Sequence, residues 1–376
     1  MLVRLADATA ATCGGKAAAL GTLIRAGLPV PDGFVVPFAA YAEAGAAALL
    51  PADLVEAVRR ELDALGNPPV AVRSSAANED TATASAAGQH DSFLGVQGIA
   101  AVLDAVRACW ASVGSPRAQA YRGGADEVQM AVIVQRHVDA DASGVMFTAG
   151  ETTMIEAAWG LGPSVVEGKV VPDSYRITAD RMIQKTIADK QTRLDRTGSR
   201  VVAHDVPDSH RTEPAITDAA ALRLAQLGGQ VGATLGGGPQ DIEWAITGDH
   251  IWLLQARPVT AAPPSPAGTA DHSALRGTPA SRGTATGTAR IVRGQGDFGR
   301  VRPGDIIVCR FTEPAWTPLL HVAAGVITET GGVLSHAAIV ARERGIPAVV
   351  GVPGAMTRLD DGSLVTVEGT AGIVRT

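Results

Sequence analysis

Apolar residues recur along this chain with two periods. From Ala52 to Leu65 and from Asp218 to Ala233 they fall three and four apart, which predicts two surface helices, each with one buried stripe. Ala131 to Gln135 and Ser143 to Thr148 are short apolar runs and predict strands. Alternation is clearest in PQDIEWAITGDHIWLLQARPVT, which predicts two strands joined by a Gly248-Asp249 turn. Asp241 and Glu243 share one face of the first strand, and Gln255 and Arg257 one face of the second. Trp244, Trp252 and Leu254 fall on the other side. If Glu243 pairs with Gln255, Asp241 faces Arg257, with Cβ atoms about 5 Å apart.

Further along, TETGGVLSHAAIVARERGIPAVVGV places a strand end at Val326-Ile327, a turn at Gly331-Gly332, an N-cap at Ser335 and a helix from Ala337 to Arg344, closed by Gly345 and Pro347. His336 then sits in the first turn, where free N–H groups and the helix dipole stabilise a negative group. A cap or a packed polar residue is the plainer alternative for a lone histidine. Short β-like runs, TATGTARIV, GDIIVCR, AAGVITE and SLVTVEG, surround this helix. Between the two parts, Ala261 to Gly277 is rich in Pro, Ala, Ser and Gly and has no periodicity, so it is expected to be a flexible linker. The predicted division is residues 1–260, linker 261–277 and 278–376.

Composition narrows the function. The 376 residues are 46% apolar, enough for more than one core. A net charge of -6 without a basic stripe argues against nucleic acid and anionic membrane partners. No apolar run approaches membrane-spanning length, and MLVRLADATAATCGGK lacks the core of a signal peptide, so a cytoplasmic protein is expected. Cys13, Cys109 and Cys309 are far apart and form no CxxC pair, which fits reduced thiols.

Three stretches carry candidate chemistry besides His336. Gly14-Gly15-Lys16 enters a helix, and Lys16 there can neutralise phosphate oxygens, although a solvated lysine beside a turn has the same pattern. VAVRSSAANEDTATASAAGQHDSFLGV predicts a buried strand ending in Arg73, then a small-residue loop, Ser85 to Ser92. Such a loop can fold over a polyphosphate, with Gly88 allowing close backbone approach and Arg73 gripping oxygens with its fork. An ordinary surface loop is the alternative. Glu243 and Gln255 form an oxygen patch suited to Mg²⁺, which is usually held by one or two protein groups plus nucleotide phosphates.

Together these stretches resemble the phosphoenolpyruvate synthase, pyruvate phosphate dikinase and rifampicin phosphotransferase family. GGKAAALGTL, AVRSSAANED, AGQHDSFLGV, VQRHVDADASGVMFTA, IEAAWGLG and QDIEWAI…LLQARPVT match in order, followed by PAWTPLL and TETGGVLSHAAIVARERGIPAVVGV. The resemblance implies an α/β (α+β) architecture: an ATP-grasp nucleotide-binding domain, then a swivelling β/β/α phosphohistidine domain. It implies ATP and Mg²⁺ as cofactors. Lys16, Arg73, Gly88, Gln89 and Ser92 would hold the phosphates, Gln135 and Val138 would border the adenine, and Asp241, Glu243, Gln255 and Arg257 would form the floor, with Glu243 and Gln255 on the metal. His336 would be phosphorylated from ATP, giving AMP, with Gly331-Gly332 letting backbone and phosphate approach.

The sequence departs from the family at two points. Ala86 stands where many members have an aromatic residue. The linker also passes directly from one domain to the other and the chain stops at Thr376, so the acceptor domain of relatives is expected to be absent or replaced. The acceptor is expected to be a small molecule, such as an intermediate of specialised metabolism. The alternatives are a separately encoded acceptor domain completing a split synthase, or a partner protein that reads the phosphohistidine.

Overall fold

The computed structural model describes residues 1–45, 50–77, 92–114, 129–262, 264 and 274–376. A five-stranded antiparallel sheet runs in the order Val3–Arg4, Gly33–Val36, Met130–Arg136, Val70–Ala76, Ser92–Val96. Its strands alternate between two cores. Phe34, Val36, Val132 and Val134 pack under the helices Ala52–Ala64 and Ile99–Ala111, while Val35, Ala131 and Ile133 pack under the helix Ala10–Arg25. The first of these helices buries Leu54, Val58 and Leu62 along one face.

A six-stranded antiparallel sheet runs His250–Pro258, Gln240–Thr247, Ala142–Ala149, Thr152–Trp159, Asp173–Thr178, Ile183–Thr186. The helix Asp218–Thr234 covers one face, where Leu224 and Val231 share a core with the fully buried Trp244. A two-stranded ribbon, Thr192–Thr197 with Arg200–Asp205, projects beside it.

The last part is an eight-stranded mixed sheet, ordered Leu275–Arg276, Ile373–Arg375, Leu364–Glu368, Thr284–Ile291, Ile306–Cys309, Gly325–Thr328, Ala348–Val350, Thr278–Ser281. The neighbours from Thr284–Ile291 to Ala348–Val350 are parallel and the rest antiparallel. One face is covered by the helix His336–Arg344, which ends as predicted with Gly345 left-handed at φ +66°. The α/β expectation is met.

Four local expectations are corrected. Arg73 is not at a strand end: the strand continues through Ser74-Ser75-Ala76, small residues that let the Ala10–Arg25 helix approach. That helix is kinked at Gly14 (φ +81°), where a Cβ would lie 2.6 Å from the Ser75 carbonyl oxygen, so it is entered a second time just before Lys16. Ser335 occupies the N-cap, but its hydroxyl donates to the Gly332 carbonyl (2.8 Å) instead of accepting from the helix. The far end of the expected linker is ordered: Leu275–Arg276 is a strand, and the Gly277 N–H donates to Gly372. Residues 263 and 265–273 of that linker lie outside the described residues.

Candidate active site

The floor of the site is the Gln240–Thr247/His250–Pro258 hairpin. Its register sets Glu243 opposite Gln255, the condition posed from the sequence, and Asp241 therefore lies opposite Arg257. Beyond that pair the register shifts, and Trp244 faces Leu253. Leu254 is the extra residue of a β-bulge, so the alternation past it is inverted. Leu253 joins Trp244 in the core, while Leu254 lines the cavity and Trp252 pairs opposite cavity-lining Ala245. The expectation that Trp252 and Leu254 share the side of Trp244 is thereby corrected.

Two ion pairs occupy this floor. Arg257 Nη2 lies 2.7 Å from Asp241 Oδ2, both side chains being buried. Arg73 reaches across from the other sheet, donating to Glu243 Oε2 at 2.7 Å and to the Leu254 carbonyl at 2.8 Å. Burial opposes ionisation of Glu243, but Arg73, Arg257 and Lys16 outweigh it and hold the carboxyl below the usual carboxylate range. Glu243 is thus an ionised oxygen donor with Gln255 directly beside it. Among the described residues no cluster of three or more His, Cys, Asp or Glu is placed to hold a metal alone. A carboxylate and a carboxamide oxygen at a phosphate site still fit Mg²⁺, which takes its remaining ligands from phosphates and water.

The opposite wall carries His336, which is buried. Thr312 Oγ1 lies 3.0 Å from its Nδ1, and Thr317 Oγ1 lies 3.4 Å from its Nε2 while donating to the Pro314 carbonyl at 2.9 Å. The glycines before it approach the first part of the chain: a Cβ on Gly332 would lie 2.2 Å from Glu156 Oε1, and Gly331 packs on Gly168. Glu156 accepts the N–H groups of Val333 (2.6 Å) and Leu334 (3.1 Å). Burial pushes its carboxyl up to about 7 against those donors and the charge of Arg342.

Floor and wall enclose one cavity of about 840 Å³. Of the residues predicted from sequence, Lys16, Arg73, Ser92, Gln135, Val138, Asp241, Glu243, Gln255, Arg257 and His336 all line it. Gly88, Gln89 and Ala86 lie outside the described residues. Gln135 is present as wall: its side-chain amide donates to the Pro31 carbonyl (3.0 Å), so that group is already committed. Sequence reasoning did not single out Thr312, Thr317 or Glu156. PAWTPLL contains Thr317 and IEAAWGLG contains Glu156, but neither residue's partner is near it in sequence.

Comparison with known proteins matches residues 45–274 to a family described as pyruvate phosphate dikinase, AMP/ATP-binding domain, and residues 301–372 to PEP-utilising enzyme, mobile domain. A probable phosphoenolpyruvate synthase of Methanothermobacter thermautotrophicus is 36% identical over 96% of this chain and 61% of its own length. The phosphoenolpyruvate synthase of Aeropyrum pernix is 35% identical over 96% of this chain and 56% of its own. That of Escherichia coli is 36% identical over 82% and 43%. The chain therefore spans between 43% and 61% of the length of these three relatives. Among the described residues no helix is long and apolar enough to cross a membrane. With an ATP-grasp AMP/ATP-binding domain over most of its length and a PEP-utilising mobile domain after it, the chain belongs to the phosphoenolpyruvate synthase and pyruvate phosphate dikinase family, whose cofactors are ATP and Mg²⁺.

Proposed function

We propose that this chain is an ATP-dependent phosphotransferase that phosphorylates its own His336, releases AMP and passes the phosphoryl group to a small-molecule acceptor. The observation that carries this reading is that His336 and the floor residues Glu243, Gln255 and Arg257 line one cavity. Lys16 and Arg73 would neutralise the phosphates, with Ser92 at the mouth and Val138 against the base. Glu243 and Gln255 would hold Mg²⁺, whose charge draws electron density from the phosphates. We assign the imidazole proton to Nδ1, donating to Thr312, because the Nε2 contact with Thr317 is long and the Thr317 hydroxyl already serves Pro314. The Nε2 lone pair then attacks the β-phosphorus, and the bond from that phosphorus to the oxygen of the α-phosphate breaks. AMP leaves with the β- and γ-phosphoryl groups together on Nε2, and the bond from the γ-phosphorus to the bridging oxygen then breaks as water or phosphate takes the γ-phosphoryl group.

The division into residues 1–260, a linker and 278–376 belongs to the same reading, with the second unit moving between the nucleotide and the acceptor. The cysteines Cys13, Cys109 and Cys309, all buried and far apart in sequence, support a cytoplasmic location.

The deciding experiment is incubation with Mg²⁺ and ATP followed by intact-mass and nucleotide analysis. A phosphoryl adduct that is acid-labile and base-stable, with AMP as product, is expected; ADP as the sole nucleotide product overturns the reading. Thr312→Val tests the imidazole assignment. Loss of one hydrogen bond that orients the nucleophile is expected to slow labelling about three- to tenfold, with ATP affinity unchanged. Labelling at the unaltered rate would show that Thr312 does not orient the ring.

A further inference from the structure

Glu156 sits inside the Thr152–Trp159 strand among buried apolar neighbours, a place where a carboxylate costs stability unless it is satisfied. Its satisfaction comes from 177 and 178 residues away, from the Val333 and Leu334 N–H groups. These belong to the turn that leads into the His336 helix. Other contacts gather at the same seam: the Gly331 N–H donates to the Val170 carbonyl (3.0 Å), and the Thr330 hydroxyl to the Gly168 carbonyl (2.6 Å). Arg342 braces the turn from behind, donating to the Val333 carbonyl at 2.7 Å.

We propose that Glu156 is the positioning residue that seats the His336 turn on the nucleotide half, so that the imidazole faces the cavity while the carboxylate receives the two N–H groups. The inference rests on the proposed transfer to His336 and adds the contact that aligns it. Both ends of the contact are satisfied in either state. Docked, carboxylate and amides pair with each other; apart, both are hydrated, so separation strands no polar group. Burial works against the charge of Glu156, and the two N–H groups are the donors that favour it. Gly332 has its reason here too, since a side chain at that position would collide with the carboxylate.

The test uses the full chain. Glu156→Gln keeps the size of the side chain but replaces one acceptor oxygen with a donor that faces an N–H. Exchange of the Val333 and Leu334 amides is expected to quicken about tenfold or more, and His336 labelling with Mg²⁺ and ATP to slow by about as much, at unchanged ATP affinity. Gly332→Ala should slow labelling similarly in the unaltered background and far less in a Glu156→Ala background, where space has been cleared. Such non-additivity marks a direct contact and is not produced by a residue that merely stabilises its own strand. Unchanged exchange in folded Glu156→Gln, or additive effects of the Gly332 and Glu156 changes, overturns the proposal. If the unaltered chain is never labelled, the phosphotransfer reading fails instead, and amide exchange still judges the contact.

Discussion

His336→Ala is expected to bind ATP and form no phosphoryl adduct. The substitution removes the nucleophile while alanine, the best helix former, keeps the first turn of the His336–Arg344 helix intact. It leaves the Thr312 hydroxyl without its imidazole partner, but a hydroxyl rotates to find another, and Thr317 retains the Pro314 carbonyl. The fold should therefore survive. Removal of a catalytic nucleophile elsewhere lowers turnover by on the order of a million-fold, so labelling should fall below detection. ATP affinity should hold because the floor residues sit on strands of the first part, on the opposite wall of the cavity. The measurements are intact mass after incubation with Mg²⁺ and ATP, and a separate nucleotide titration. Labelling equal to that of the unaltered chain would move the phosphoryl group to another residue.

How much of this site was legible from sequence depends on how local each cause is. That Asp241 and Glu243 share one face and Gln255 and Arg257 another follows from a period of two within twenty residues, but a two-residue turn at Gly248-Asp249 alone would set Glu243 opposite Leu254, and it is the bulge that sets it opposite Gln255. Leu254 escaped because a bulge inserts one residue without leaving a mark in composition, and every side chain beyond it changes face. Arg73 was legible as a cation at the site but not as a mid-strand residue, since Ser74 and Ser75 look like the start of a loop until the helix packed against them is known. Glu156 was the hardest. One acid in the run IEAAWG has no local partner, and nothing in that run encodes backbone donors more than 170 residues away. Its only trace was membership of a stretch matched to the family. The His336 helix was legible because its glycine stop and following proline act within their own turn, whereas the Ser335 hydroxyl bond to Gly332 is a choice among local acceptors that pattern does not decide.

Glu243→Ala is expected to reduce labelling about 10²- to 10³-fold, the loss typical when a group that stabilises developing charge at a reacting centre is removed. Three effects add. The proposed Mg²⁺ loses its anionic protein ligand and keeps only Gln255. Arg73 loses the partner at 2.7 Å that fixes one arm of its guanidinium, though its bond to the Leu254 carbonyl remains. The floor also gains net positive charge, which favours nucleotide in a non-productive pose as readily as a productive one. The expected signature is therefore a fall in rate much larger than any fall in ATP affinity, together with a raised Mg²⁺ requirement that is partly overcome by excess metal. Gln255→Ala should show the same signature to a smaller degree, since a neutral carboxamide contributes less to a divalent cation than a carboxylate does. Circular dichroism and thermal unfolding provide the control for folding, since Glu243 lies in a hairpin whose ladder is backbone-bonded on both sides. A folded Glu243→Ala chain that labels at the unaltered rate and the unaltered Mg²⁺ dependence would remove Glu243 from the metal site and leave it as the structural partner of Arg73.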